Sequence, residues 1–460
     1  MTNPLGADLF VEINFAADAS WTNAFVLDSA TKGVLGTSTL ADDAWVNVSA
    51  DVKLASVRHG RSDPTRSYES GLCTIELDNV SGNYDPTNLA GPYVAGGITQ
   101  IVPNRRIRIR AVENGFTYFL FYGLVDDWAL RYGHFSDATA TVTASDYLKV
   151  LAGNNLTPVA SSFAGDTYDV RASRVLDAVG IDSSMRVLDR GTTTFAATTF
   201  AKEVTFESTG NTASFGYPAI EYLRKVADTE GGVLYADTQG RINVKSRLSV
   251  VEEARSATSQ ATFGPFITGA TSSTWSDPAA AWSDPTAGWA VGEIHVPYES
   301  VSVVYTFDDI RNIERFTRQG GVMQTATDAA SQAKYGNATH EETGLLMDSD
   351  PQALGLARWW LKQEKDDRVR VNQIQTNPML DVDARSQALQ RQLRDRVSVV
   401  IDRPGVGVST QQSIIEGVAH TITPNSWRTA YSFTDAARFS FAMNGFKLDT
   451  SLLNTGTVGY

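Results

Sequence analysis

The sequence of 460 residues is 42% hydrophobic and 20% charged, which is typical of globular proteins and predicts about three domains. Its formal net charge of −13 argues against a surface made to hold nucleic acid. Cys73 is the only cysteine, which excludes an internal disulfide and a cysteine-based zinc site and is typical of a protein made in a reducing cytoplasm. The first ten residues do not resemble a secretory signal, and no apolar run predicts a membrane span.

Residues 1–152 predict a domain of short β-strands. Apolar and polar residues alternate in several stretches, namely Leu9–Phe15, Trp45–Val48, Val52–Val57, Cys73–Leu77 and Thr139–Ala144. The clearest hairpin joins residues 104–112 to residues 116–125 through Asn114–Gly115, because this pair accepts the positive φ of a tight turn. Residues 78–88 are rich in turn formers. Many short strands at close spacing are typical of a barrel or a sandwich.

Residues 153–250 predict a small α+β domain, in which helices pack on a hairpin. Ser173–Val179 favours a short helix that ends at Gly180. A stronger helix runs from Pro218 to Glu230, since proline suits the first helical position and Gly231 is a natural stop. Residues 233–237 and 241–245 then predict the two strands of a hairpin.

Residues 251–297 differ in composition and predict an extended arm or linker. The motif WSDP occurs twice at a spacing of seven, and its prolines disfavour a continuous helix. Three evenly spaced tryptophans lie in this segment and are predicted to dock on a neighbouring surface: Trp275, Trp282 and Trp289.

Residues 298–460 predict a second β domain with two flanking helices. Ser300–Phe307 favours a strand, and Asp350–Pro351 favours the N-cap and first turn of a helix. Residues 383–396 predict the second helix, and the remaining strands fall at 369–375, 397–402, 413–423 and 429–433. The whole chain is therefore predicted to be mainly β with α+β insertions.

A search for chemistry finds no motif of a catalytic, metal or cofactor site. The five histidines lie far apart in the sequence: His59, His134, His295, His340 and His420. Three acidic pairs are candidates for a hydrolytic site: Asp126–Asp127, Asp308–Asp309 and Asp277 with Asp284. Adjacent acids on a strand point to opposite faces, so we interpret them as strand ends and turns. A hydrolytic site made of two carboxylates that are distant in the sequence and meet in the fold stays an alternative.

Two groups of arginines are candidates for contact with anions. The first group is predicted to line one face of a strand (Arg105, Arg106, Arg108, Arg110), and the second is predicted to lie on a helix (Arg385, Arg391, Arg394, Arg396). Neither group has the interleaved aromatic residues of a single-strand nucleic-acid platform. We interpret them as solvated faces or as partners of acidic residues, and for the strand we favour pairing with carboxylates across a subunit interface.

Several segments, in order along most of the chain, resemble one protein family. They are VRHGRSDPTRSYESGLCTIELDNVSGNYDPTN (57–88), PNRRIRIRA (103–111), YFLFYGLVDDW (118–128), AIEYLRKVADTEGGVLYADTQGRINVKSR (219–247) and IIEGVAHTITPNSWRT (414–429). Together they resemble the phage minor tail proteins of the baseplate-hub, or tail-tip, type, as found in long-tailed phages of actinobacteria. The arm around the WSDP repeats departs from this pattern.

The resemblance implies a virion structural protein without catalytic residues. It implies a homotrimer at the tail tip, in which each chain has two tail-tube-like β-barrel domains and three chains present a pseudo-sixfold ring to the tube. The implied partners are the distal tail protein and tail tube above, and the tape measure protein and receptor-binding or tip proteins below. The resemblance also implies that, during genome ejection, the DNA passes through the ring without specific binding.

Two further expectations and two alternatives follow from this interpretation. The charged residues of one segment are expected to contact a neighbouring subunit: Arg58, Arg61, Asp63, Arg66 and Glu69. The channel-facing surface is expected to be net negative, because acidic groups repel phosphate. One alternative is a distal tail protein that forms a hexameric ring. The other is a tail-tip component that binds cell-wall carbohydrate through the three tryptophans.

Overall fold

A computed structural model describes residues 7–15, 45–62, 67–133, 137–160, 162–205, 212–265 and 295–439. The first third of the chain is almost entirely β. Its strands are β1 (Asp8–Asn14), β2 (Trp45–Asn47), β3 (Val52–Gly60), β4 (Glu69–Asp78), β5 (Val94–Ala95), β6 (Ile98–Thr99), β7 (Arg106–Glu113), β8 (Phe116–Tyr132) and β9 (Ala138–Ser145).

The middle of the chain mixes helices with short strands. Its elements are α1 (Leu148–Ala152), β10 (Asp166–Thr167), α2 (Tyr168–Val179), β11 (Arg186–Leu188), β12 (Thr194–Phe195), β13 (Ala201–Thr205), β14 (Thr212–Gly216), α3 (Ala219–Glu230), β15 (Val233–Ala236), β16 (Ile242–Lys245), α4 (Ser249–Glu252) and α5 (Ala254–Ala257).

The last part returns to β structure with three helices. Its elements are β17 (Ser259–Pro265), β18 (His295–Tyr298), β19 (Ser300–Val304), β20 (Ile313–Arg318), β21 (Gln324–Thr327), α6 (Ala329–Tyr335), β22 (Thr339–Leu345), α7 (Asp350–Glu364), β23 (Arg370–Thr376), α8 (Val382–Gln390), β24 (Arg396–Arg403), β25 (Gly407–Thr423) and β26 (Ser426–Asp435). The prediction of a mainly β chain with α+β insertions is confirmed.

One sheet of 14 strands joins the two ends of the chain. Its main path runs β18-β17-β24-β25-β3-β4-β9-β8-β7-β1-β2, and β26, β23 and β19 branch from β25. The connection between the ends is the antiparallel ladder of β25 and β3, in which Gly417 lies opposite Gly60 and Ile422 opposite Ala55. Among the described strands no ladder joins β18 to β2, so the two predicted barrels stay predictions.

The N-terminal core follows the alternation expected from the sequence. Cys73, Ile75 and Leu77 of β4 are buried, as are Ile107 and Ile109 of β7. They pack in one core cluster with strands β1, β3, β8 and β9, and side chains from the C-terminal part complete it. The predicted hairpin of β7 and β8 is confirmed, because the turn has φ of 51° at residue 114 and 80° at residue 115.

The helices and the hairpin predicted for the middle of the chain are present. Strands β15 and β16 are an antiparallel hairpin, and β11 adds to it in parallel. Helix α3 begins after Pro218 and ends at Gly231, whose φ of 70° allows the backbone to close the helix. Helix α2 begins at Tyr168, earlier than expected, and ends at Gly180 as predicted.

Three local predictions in the later part of the chain need correction. Helix α7 has Ser349 rather than Asp350 as its N-cap. Helix α8 covers only residues 382–390, because the chain turns at 391–395 and Arg396 begins β24. The predicted arm starts with ordered structure, since α5 and β17 lie within it and β17 pairs with β24. Residues 266–294, with Trp275, Trp282 and Trp289, lie outside the described residues.

A further unit, which the sequence did not predict, packs against α7. The sheet β21-β20-β22 places its apolar face on this helix. The core between them includes Phe316, Leu345, Met347, Leu356 and Trp359.

Candidate functional site: the junction and edges of the sheet

The ladder between β3 and β25, from Gly60 and Gly417 to Ala55 and Ile422, joins the two ends of the chain and is called the junction below. Strand β25 carries a bulge at Glu416, where its pairing with β26 shifts between Ile415 and Gly417. A Cβ atom added to Gly60 would lie 2.1 Å from the carbonyl oxygen of Glu416. One added to Gly417 would lie 2.5 Å from the carbonyl oxygen of Arg61. Only glycine therefore permits this close approach of the two backbones.

A buried charge cluster lies beside the junction. The Glu416 carboxylate accepts hydrogen bonds from Arg61 Nε at 3.0 Å and from the hydroxyl of Tyr68, and Arg394 Nη1 lies 3.5 Å from its other oxygen. Burial opposes ionisation of this carboxyl, but Arg61 and Arg394 outweigh it and hold the pKa of Glu416 below its usual value. The cluster links residues more than 300 positions apart in the sequence. Sequence reasoning missed Glu416; the available signal was one acid within the apolar run Ile414–Val418.

Arg61, which is expected to contact a neighbouring subunit, has partners within the chain, and the subunit contact stays a prediction. Its side chain belongs to the cluster on Glu416 and lies 4.6 Å from the centre of the Tyr68 ring, so it is a partner within the chain. Arg58 and Glu69 form an exposed ion pair at 3.1 Å across β3 and β4. Asp63 and Arg66 lie outside the described residues.

The arginine row on β7 also has a partner within the chain. Arg108 Nε and Arg110 Nη2 lie 2.6 and 2.7 Å from the carboxylate of Glu12. Glu12 lies directly opposite Arg108 in the ladder of β1 and β7. The carboxylate that pairs with this row therefore belongs to the same chain, whereas the sequence favoured one on another subunit. Arg105 donates to Gln100 instead, and Arg106 is buried.

The second arginine group is neither helical as a whole nor solvated. Arg385 lies on α8 and its Nε is 2.6 Å from Glu113, whereas Arg391 and Arg394 lie in the following turn. All three are more than nine-tenths buried. Arg394 has a φ of 72°, and the turn is fixed further by a 3.0 Å hydrogen bond from Gln392 N to the Asp395 side chain.

Two of the five histidines meet at the junction. His59 donates from Nε2 to the Leu120 carbonyl at 3.0 Å, and His420 Nδ1 lies 3.0 Å from the hydroxyl of Thr429. Burial lowers the pKa of both, and with the added effect of His59 it lowers the pKa of His420 to about 3. Both are therefore neutral at physiological pH.

The remaining histidines lie elsewhere in the chain. His340 Nδ1 lies 2.7 Å from a carboxylate oxygen of Glu314. His295 begins β18, and His134 lies outside the described residues. Within the described part of the chain no group of three or more His, Cys, Asp or Glu side chains is placed to hold a metal ion.

In each of the two acidic pairs that the structure describes, one member makes local contacts. Asp126 accepts from the Ser145 hydroxyl at 2.5 Å and pairs with Lys149. Asp309 lies 2.7 Å from Arg370. Asp277 and Asp284 lie outside the described residues. The structure therefore assigns Asp126 and Asp309 to ion pairs that stabilise the fold.

The edges of the sheet are candidate assembly surfaces. Among the described strands, β2 pairs only with β1, β18 only with β17 and β19 only with β23. Exposed apolar side chains lie on β19 and near its C-terminal end: Val303, Tyr305, Phe307 and Val369. A free edge with apolar side chains is a template for pairing with another chain. No helix among the described residues is long and apolar enough to cross a membrane.

Comparisons with known proteins connect this architecture to tail proteins. No protein-family model and no curated protein matches the sequence. Among solved structures, a tail protein from Neisseria meningitidis MC58 is similar with 10% identity and a TM-score of 0.51, over 94% of this chain and 96% of that one. A 43 kDa tail protein of prophage MuSo2 from Shewanella oneidensis has 13% identity and a TM-score of 0.49, over 86% and 96%. The resemblance expected from the sequence is confirmed at the level of the fold, which this chain shares with the Neisseria tail protein.

Proposed function

We propose that this chain is a structural protein of a phage tail tip, a baseplate hub that joins the tail tube to the tip. The observation that carries the proposal is the shared fold with the Neisseria tail protein, which covers 94% of the chain. The hub has no enzymatic role in this proposal. Its partners are the distal tail protein and tube on one side, and the tape measure and receptor-binding proteins on the other.

The hub assembles as a homotrimer through free edges of the sheet. The β19 edge supports this, because β19 pairs with no second strand among the described residues and exposed apolar residues lie on and beside it, which suits pairing with a second copy. The mass of the purified chain, measured by light scattering, tests the proposal. A mass of three chains is expected. A mass of six chains would favour the distal tail ring, and a monomer at all concentrations would contradict self-assembly.

The trimer surrounds the DNA exit channel. Three chains of −13 each carry a formal charge of −39, and acidic groups on the channel wall repel phosphate and keep the DNA mobile. Imaging of an intact virion with this chain located at the tail tip tests this placement. A chain located in the head or the tube, or a continuous basic channel lining, would contradict it.

A further inference from the structure

A cavity of about 210 Å³ lies at the junction, where three parts of the chain meet. His59 and Leu120 line it from the N-terminal strands, Asp237 and Lys245 from the small α+β unit, and the turn after α8 closes it. The volume is below the roughly 300–1,000 Å³ of sites for drug-sized ligands. The cavity therefore suits a small ion or molecule.

Positive groups outnumber negative ones on the cavity wall. Five lining side chains are cationic (Arg241, Lys245, Arg255, Arg391, Arg394) and three are anionic (Asp237, Glu253, Asp395). Each anion already has a close cation. Arg241 Nε lies 2.8 Å from Asp237, Lys245 Nζ 2.5 Å from Glu253, and Arg255 Nε 2.6 Å from Asp395.

Arg391 is left without a carboxylate of its own. It is more than nine-tenths buried, and its nearest acid is Asp395 at 3.4 Å, which Arg255 already binds with two nitrogens. Its Nε and Nη1 atoms are buried and have no hydrogen-bond acceptor among the described residues. Arg394 shares Glu416 with Arg61 and Tyr68, and its Nε also lacks an acceptor there.

A buried guanidinium whose N–H groups lack hydrogen-bond acceptors is costly, because arginine stays charged and loses its hydration. An anion with two oxygens would accept from the planar fork of donors, which matches carboxylate and phosphate geometry. The cavity has the room and the excess positive charge for such an anion.

We propose that the junction cavity binds a small oxyanion, phosphate or a short carboxylate, on Arg391. Bound there, the anion contacts all three parts of the chain and stabilises their union. This inference is independent of the proposed assembly, since it concerns the single folded chain.

The test is titration calorimetry of the full chain with inorganic phosphate and, separately, with acetate, at constant ionic strength set by chloride. Saturable binding of at least one anion is expected, and the two titrations show which oxyanion is preferred. Arg391→Gln should weaken binding by about tenfold or more, because it removes a charge-assisted donor pair. Arg391→Lys keeps the charge without the fork and should bind more weakly than the wild type.

The matched control is Arg428→Gln, which removes an exposed arginine outside the cavity whose nearest acid, Glu299, is 3.7 Å away. This variant should bind as the wild type does. No saturable binding by the wild type would overturn the proposal, as would equal binding by wild type and Arg391→Gln. The wild-type titration decides the question even where a variant fails to fold.

Discussion

At the residue scale, the buried cluster on Glu416 makes the sharpest prediction. Replacing Glu416 with Ala leaves the buried Arg394 and the part-buried Arg61 without their carboxylate, and breaking a buried pair typically costs about 3–5 kcal/mol. Urea unfolding of the full chain measures this loss. The matched control is Glu69→Ala, which removes the acid of the exposed pair with Arg58 and should cost less than about 1 kcal/mol. Equal losses in the two variants would contradict the role given to the cluster.

The junction histidines predict a loss of stability in acid. The pKa of His420 is about 3 in the folded chain because burial disfavours its charged form, against about 6.5 when unfolded. A lowered pKa means that its contribution to stability is fully present above about pH 6.5 and is lost progressively as the pH falls toward 3. We expect His420→Gln to unfold with a weaker dependence on pH across this window. Identical pH profiles for the two proteins, from urea unfolding at each pH, would contradict the assignment.

The partners of individual arginines could not be predicted from the sequence, although the arginines themselves could. The side-chain alternation of β7 indicates which residues share a face, but the identity of the opposite residue depends on the register with β1. Glu12 and Arg108 are 96 positions apart, and no local pattern relates them. The sequence therefore does not distinguish an acidic partner on another subunit from one on a distant strand of the same chain.

At the element scale, local signals succeeded wherever one residue type dictates the backbone. Asn114–Gly115 specified the β7–β8 turn, and Gly231 ended α3. Helix α8 shows the limit, because residues 391–395 have good helix formers but are held in a turn. There Asp395 accepts from Gln392 N, and the backbone N–H of Arg394 donates to the Ile415 carbonyl at 2.8 Å. Tertiary contacts with β25 override the local propensity.

The close approach of β3 and β25 at the junction predicts that a side chain at Gly60 strongly lowers the free energy of unfolding. Alanine there is strained at φ 83° and also clashes with the Glu416 carbonyl, whose oxygen would be 2.1 Å from the new Cβ. The matched control is Gly405→Ala, with a similar φ of 77° and nothing within 4 Å of the added Cβ. We expect about 1–2 kcal/mol for the backbone strain in both and about 1–3 kcal/mol more at Gly60.

The difference between the two glycine variants isolates the close approach of the strands. Urea unfolding of both full-length variants measures it. Equal destabilisation at Gly60 and Gly405 would show that the two backbones can separate without cost. It would remove the geometric reason for a glycine at position 60.

At the scale of the whole molecule, the sequence predicted two β-rich ends but not their union. The ladder of β25 and β3 pairs residues about 360 positions apart, for example Val418 with His59. Strand periodicity specifies the buried face of each strand but contains no information about such a distant neighbour. Closing so long a loop is costly in entropy, and the shared core side chains Ala388, Leu389, Ile422 and Trp427 offset that cost.

A substitution on the β19 edge is expected to weaken assembly without changing the stability of the folded chain. Val303 is 37% exposed on this strand, and a lysine there would place a charge on the edge that a second copy is proposed to cover. We expect Val303→Lys to reduce the mass measured by light scattering from three chains to one, with an unchanged urea midpoint. The matched control is Val322→Lys, the same change at a 65% exposed valine in the connection between β20 and β21, which should remain trimeric. A trimer that survives Val303→Lys would show that the β19 edge is not the assembly surface, since a buried lysine without a partner weakens an interface strongly.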